Sequence, residues 1–272
     1  GLSENAKALV WMAFQYFILY TYDTTSDGTA EKKEFYIISH FFMAYTLLAV
    51  AAGTVMLFAD YYSYTEVNGV VVILGFLWNR LWGVYSDPNY GAVFSAITII
   101  MSLYFYKDAK KPLKALYIIN IVLQICYIAF SDSRTGMVSL FCALLVYVYL
   151  TALRSKKLEA KKAFARGVIC VLLAVTAAVA SFAAIKVVSV STSEFKKWQY
   201  EHIISSDKDK TEAQKEKDKQ KLEIGRQSND INGDVSNRRF AIWGSGLEIF
   251  KTKPLTGVTF RNYVPYAEDK LP

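Results

Sequence analysis

Arginine is the side chain in this sequence whose placement most suggests chemistry. Arg134 lies in the short polar segment Ser131-Asp132-Ser133-Arg134-Thr135, closed between two apolar runs. Arg80 precedes a second polar stretch, Asp87-Pro88-Asn89, that leads into another apolar run. Arg238 and Arg239 stand side by side where Phe240, Trp243, Leu247 and Phe250 begin to recur at helical spacing. A guanidinium is permanently charged, and its fork of N–H donors matches phosphate oxygens in pairs. At the ends of apolar runs such groups suit a phosphate-bearing ligand at a membrane surface. A cation fixed there also stabilises negative charge that develops when a bond to phosphate breaks. Asp87 and Asp132 are single and distant in sequence, so neither a metal nor a cofactor is expected. Cys126, Cys142 and Cys170 show no metal-ligand or disulfide spacing and read as packing residues inside apolar runs.

The elements that hold these residues are membrane helices. The chain is 53% hydrophobic and 20% charged, totals a soluble protein can share, so the distribution decides. Charge is gathered in blocks, and the runs between them are mostly long enough to cross a hydrocarbon core of roughly 30 Å at about 1.5 Å per residue. Backbone there must satisfy its own hydrogen bonds, which favours helices, and the period-two alternation of a membrane barrel is absent. The spans fall at 8–20, 35–59, 90–106, 113–130, 136–153 and 167–190, the first shortened by Asn5 and Lys7. The expected fold is therefore an all-α polytopic membrane protein with about six transmembrane helices. A large extracytoplasmic loop over 191–272 completes it.

Lysine and arginine in the short loops set the orientation. Lys107, Lys110, Lys111 and Lys114 join the third and fourth spans, and Arg154, Lys156, Lys157, Lys161, Lys162 and Arg166 join the fifth and sixth. Both loops belong in the cytoplasm, which puts 61–89, 131–135 and the tail outside a cytoplasmic (inner) membrane. The net charge of +7 is then accounted for by topology and lipid headgroups rather than by nucleic acid. In the loop 61–89, Val70–Leu77 is too short for a span; it reads as an interfacial or re-entrant segment, or as a strand on the membrane surface. Residues 207–221 form a charged spacer unable to build a core, and 237–252 an amphipathic helix laid against the other outer loops. Cations in its first turn oppose the helix dipole, so an anionic partner is the economical reason for Arg238 or Arg239.

Three segments in this order resemble the O-antigen ligase and polysaccharide polymerase superfamily of bacterial membrane enzymes. They are Arg80-Leu-Trp-Gly-Val-Tyr-Ser-Asp-Pro-Asn89, Ser131-Asp-Ser-Arg-Thr-Gly136, and Asn237-Arg-Arg-Phe-Ala-Ile-Trp243 followed by Lys253-Pro-Leu-Thr-Gly257. The resemblance implies a glycosyltransferase-type enzyme that moves a glycan from a polyprenyl-diphosphate carrier to a glycan or lipid acceptor without a metal. It implies catalytic roles for Arg134 and Arg239, with Arg80, Arg238, Asp87 and Asn89 as substrate-binding residues. The family carries a histidine beyond the Pro-Leu-Thr-Gly region; this sequence ends at Pro272 without it, and His202 does not match. The chain also does not open on Met. A segment of a longer protein, lacking part of the active site and inactive alone, is the expectation.

Other readings stand beside this one. Charged groups in a membrane also mark transport pathways, so a transporter or flippase for a lipid-linked or anionic solute is the alternative. A non-catalytic sensor or scaffold that docks through the charged tail is a third. Arg134, Arg80 and Lys186 can each be snorkelling anchors, and Asp132 can simply pair with Arg134. His40 reads as a helix-packing histidine or a member of a proton relay. Asn120 and Gln124 share a helix face that bonds to a neighbour.

Overall fold

The computed structural model describes residues 2–20, 28–67, 70–155, 158, 163–199, 201–202, 224, 239–254, 257–258 and 263–270. The charged spacer 207–221 and Arg238 lie outside them. The chain divides into two compact units, Phe35–Arg226 and a smaller one made of Gly1–Glu34 with Gln227–Pro272.

The larger unit starts within α2 (Gly28–Phe58) and continues through β1 (Tyr62–Val67), β2 (Val70–Leu77) and β3 (Arg80–Gly83). Four further helices follow: α3 (Pro88–Tyr106), α4 (Lys111–Ser131), α5 (Arg134–Leu153) and α6 (Ala163–Gln199). Among the described residues five helices, α2 to α6, are long and apolar enough to cross a membrane. The protein is a multi-pass, mostly helical membrane protein. The expected first span is a helix, α1 (Leu2–Tyr20) of the smaller unit, but it is not among those five. Ser3, Glu4, Asn5, Lys7 and Gln15 dilute its apolar stretch too far.

Proline and short polar caps place the ends of these helices. Asp87 caps α3, its carboxylate accepting from Asn89 N at 2.6 Å with Pro88 opening the helix. Ser133 caps α5 by accepting from Gly136 N. Asp132, at φ 44°, terminates α4 in the left-handed conformation. Only Asp132 and Ser133 separate α4 from α5, so the chain turns sharply between the two helices.

Packing follows from small residues and buried hydroxyls, as helices in lipid require. A Cβ on Gly136 would come within 2.4 Å of the Ala92 side chain, so α3 and α5 meet at closest approach there. Gly91 makes the matching approach to Tyr127 and Tyr85. Val50, Leu57, Leu81, Ala92, Ile99, Tyr127, Ile128, Leu140 and Ile185 form one core across the helices and β3. Polar bonds tie the helices together, Thr46 to Thr98 at 2.9 Å and Asn120 Nδ2 to Ser102 Oγ, and within α4 Gln124 Nε2 donates to Asn120 Oδ1. His40 is a packing residue. Its Nδ1 donates to Tyr36 O and its Nε2 hydrogen-bonds the Tyr117 hydroxyl, each at 2.7 Å. Of the cysteines, Cys170 is buried, Cys126 half-buried and Cys142 faces outward.

Val70–Leu77, left between interfacial segment and strand by its sequence, is the middle strand of an antiparallel sheet in the order β1-β2-β3. The strand supplies Ile73 and Phe76 as buried residues. α6 runs nine residues past the expected span end at 190, to Gln199.

In the smaller unit, α7 (Arg239–Thr252) and α8 (Tyr263–Lys270) follow one another. Tyr266 and Thr252 join them through their hydroxyls at 3.0 Å. The stripe Phe240, Trp243, Leu247 and Phe250 is exposed, each residue above half, whereas Ile249 on another face is buried.

Candidate active site

Two of the three sequence segments are bonded to each other. β2 and β3 are joined by the two-residue turn Trp78-Asn79, both at positive φ as a hairpin of this twist demands. The turn delivers Arg80 as the first residue of β3. Its Nε donates to Ser131 O at 2.7 Å, and its Nη2 donates to Asn89 Oδ1 at 3.4 Å. The same Asn89 oxygen accepts from Ser133 Oγ at 2.8 Å. Arg80 thus neutralises the carboxyl end of α4 while it fixes the residue that orients the cap of α5. Asp87 holds Asn89 from the other side through its backbone N–H.

This network surrounds the turn that carries Arg134. Arg134 is the first residue of α5 and is exposed. A cation at a helix N-terminus is disfavoured by the dipole, and the free N–H groups of a first turn favour an anion. Both terms relax when a phosphate-bearing group sits against the turn. Arg239 has the same position in its own helix, as the first residue of α7. It belongs to the smaller unit.

Beneath the network the aromatic floor is closed. The Tyr127 hydroxyl donates to Trp82 O at 3.0 Å, and the Tyr85 and Tyr127 rings meet edge to face at 5.4 Å. The Tyr85 hydroxyl and Trp82 Nε1 are buried, with no hydrogen-bond partner among the described residues. Burial, and then Tyr45 nearby, push the Tyr85 phenol well above its ordinary value, so it stays protonated.

A match with known proteins now decides the family. The model of the O-antigen ligase family matches residues 119–271, more than half of the chain. The chain belongs to the O-antigen ligase family. Its chemistry is glycosyl transfer in a general sense, on lipid-linked glycans within a membrane. No curated protein and no solved structure matches the chain. The family match includes Arg134 and Arg239 and starts C-terminal to Arg80, Asp87 and Asn89. Those three are tied to the matched region by the bonds to Ser131 and Ser133 described above.

One buried cation escaped the sequence reading. Lys196, on the extension of α6, is 1% exposed. Its ammonium donates to Asp60 Oδ1 at 2.5 Å and to Leu57 O at 3.3 Å, and it lies over the Phe76 ring at 4.2 Å. It thereby caps α2 and pins β2 to α6. The weak signal was Glu194-Phe-Lys-Lys197, a helical continuation beyond the apolar run. Ser193, one turn away, accepts from Ile224 N at 3.0 Å. Lys186, by contrast, is exposed on α6. Among the described residues no group of three His, Cys, Asp or Glu side chains is placed to hold a metal.

Proposed function

We propose that this chain transfers or polymerises a glycan held on a polyprenyl diphosphate of the undecaprenyl type, at the outer face of the cytoplasmic membrane. The observation that carries the reading is Arg134, exposed at the start of α5 in a turn fixed by Arg80, Asn89 and Ser133. The lysine-rich ends of α3, α4 and α5 lie at the other ends of the same helices, which supports an outward Arg134 by the positive-inside rule.

In this reading an acceptor hydroxyl bonds to the anomeric carbon of the donor sugar and gives up its proton. The carbon–oxygen bond to the diphosphate breaks, and the leaving diphosphate keeps the electron pair and takes up the acceptor's proton, directly or through water. Arg134 neutralises the charge that gathers there, as a fixed donor that needs no reorganisation, and the family resemblance assigns a catalytic role to Arg239 as well. Asp87 and Asn89 position the turn, Arg80 adds positive potential for the donor, and Arg238 is a substrate-binding residue by the family resemblance. Guanidinium groups supply this neutralisation without a divalent ion.

The test is transfer by the full-length protein from a synthetic polyprenyl-diphosphate glycan to an acceptor glycan. Arg134→Ala lowers kcat by roughly a hundredfold or more, the scale for loss of one preorganised donor. Arg134→Lys restores only part, because an ammonium lacks the fork. A chelator leaves the wild-type rate unchanged. Equal rates for wild type and Arg134→Ala would reject the assignment.

A further inference from the structure

The opposite ends of α3 and α5 carry a second polar site. A cavity of about 450 Å³ lies between them, lined by Tyr104, Lys107, Tyr147, Thr151, Arg154 and Leu150 among others. Lys107 and Arg154 are the residues that end α3 and α5. Each helix terminus presents roughly half a negative charge, so two full cations leave the cavity net positive. The capping work there is done by other groups. Arg166 Nη2 donates to Leu153 O, and the Tyr147 hydroxyl donates to Leu103 O at 2.9 Å. The Tyr147 ring is thereby fixed beneath the Lys107 ammonium, 5.6 Å from its centroid. Among the described residues neither Lys107 nor Arg154 has a carboxylate partner.

An apolar groove adjoins this cavity. It has a volume of about 260 Å³ between α5 and α6 and is lined by Leu145, Val146, Tyr149, Leu150, Val171 and Ala174. Leu150 is a wall of both. Along α5 the groove residues lie one to two turns further from the Lys107 and Arg154 end, toward the middle of the span. A cationic chamber at a helix end that opens beside an apolar groove running into the bilayer has the two halves of a phospholipid site.

The geometry points to a binding site for an anionic phospholipid, its phosphate between Lys107 and Arg154 and an acyl chain in the groove beside Leu150. The Arg154 fork takes two phosphate oxygens and Lys107 supplies a point charge. Thr151 and Tyr104 hydroxyls face a headgroup that carries its own hydroxyls. The lysine-rich loops at these ends assign the site to the cytoplasmic leaflet. A free phosphate would use the cations and ignore the groove.

Native mass spectrometry of the full-length protein in detergent tests this, with phosphatidylglycerol, phosphatidylcholine or inorganic phosphate added. Wild type retains phosphatidylglycerol about tenfold or more over phosphatidylcholine, as two basic contacts allow. Lys107→Gln/Arg154→Gln reduces retention to the phosphatidylcholine level, while the charge-preserving Lys107→Arg keeps it. Val146→Trp, which fills the groove and leaves both cations, also lowers it. Equal retention of the two lipids by wild type would overturn the proposal, as would undiminished phosphatidylglycerol on the double variant. Inorganic phosphate that displaces the lipid, with Val146→Trp without effect, would make this a free-anion site and overturn the lipid assignment.

Discussion

Single residues at this site divide into those proposed to meet a ligand and those that hold the turn still. Arg134 is the exposed cation, whereas Arg80 spends two of its donors on Ser131 O and Asn89 Oδ1. Lys196 shows how a buried charge can be purely architectural, and it yields an asymmetric prediction. Its side chain is 1% exposed and that of its partner Asp60 is 40%. Asp60→Ala strands an ammonium in the interior and costs about 3 kcal/mol or more. Lys196→Met leaves only a carboxylate that can reach water and costs less. Chemical or thermal melts of the two variants check the order; a reversed order would mean that Lys196 is not held by Asp60. Tyr85 gives a second prediction. Its hydroxyl is buried without a partner among the described residues, so Tyr85→Phe is neutral or stabilising. Because its folded pKa is raised, the unfolded chain loses this proton first as pH climbs through the ordinary tyrosine range near about 10. Stability therefore falls with rising pH there, and in Tyr85→Phe the fall is shallower by this one proton. An unchanged slope in melts between pH 9 and pH 11 would refute it.

At the scale of elements, close helix approach carries the site. Gly136 lets α5 lie against Ala92 of α3, which puts the α5 N-terminus beside Asn89. Gly136→Val overpacks this contact and destabilises by about 1–3 kcal/mol. It also shifts Arg134, so transfer falls further than the loss of folded protein explains. A variant of wild-type activity per folded molecule would show that the approach does not position the arginine. The helices were readable because runs such as Ala115–Phe130 lack charge and are bounded by charged residues, here Lys114 and Asp132. The sheet was not settled by sequence. Val70–Leu77 is apolar on both faces, and without its partner Tyr62–Val67 the same residues suit an interfacial segment. α1 is a helix as its sequence suggests, with a polar first half and an apolar second half. The stripe Phe240, Trp243, Leu247 and Phe250 was legible as a helix, while its burial was not, since periodicity names a face and not its partner.

For the whole molecule, long-range pairing is what sequence could not supply. Arg80 meets Ser131 and Asn89 meets Ser133 across intervals of 51 and 44 residues, and no local pattern encodes either bond. Membership of the O-antigen ligase family gives the chemistry in general terms, and the fixed turn around Arg134 suggests where it occurs. The proposed orientation rests on charge: basic ends at Lys107–Lys114 and Arg154–Arg166, and the arginine turn at the other end. The central claim is best tested in cells deleted for the full-length gene and complemented with wild type or Arg134→Ala, by measuring the length distribution of the surface glycan. The account predicts that wild type restores the mature glycan and Arg134→Ala does not. Accumulated single lipid-linked units would then mark a polymerase, and full-length chains left on the carrier a ligase. Equal restoration by both genes would contradict the account.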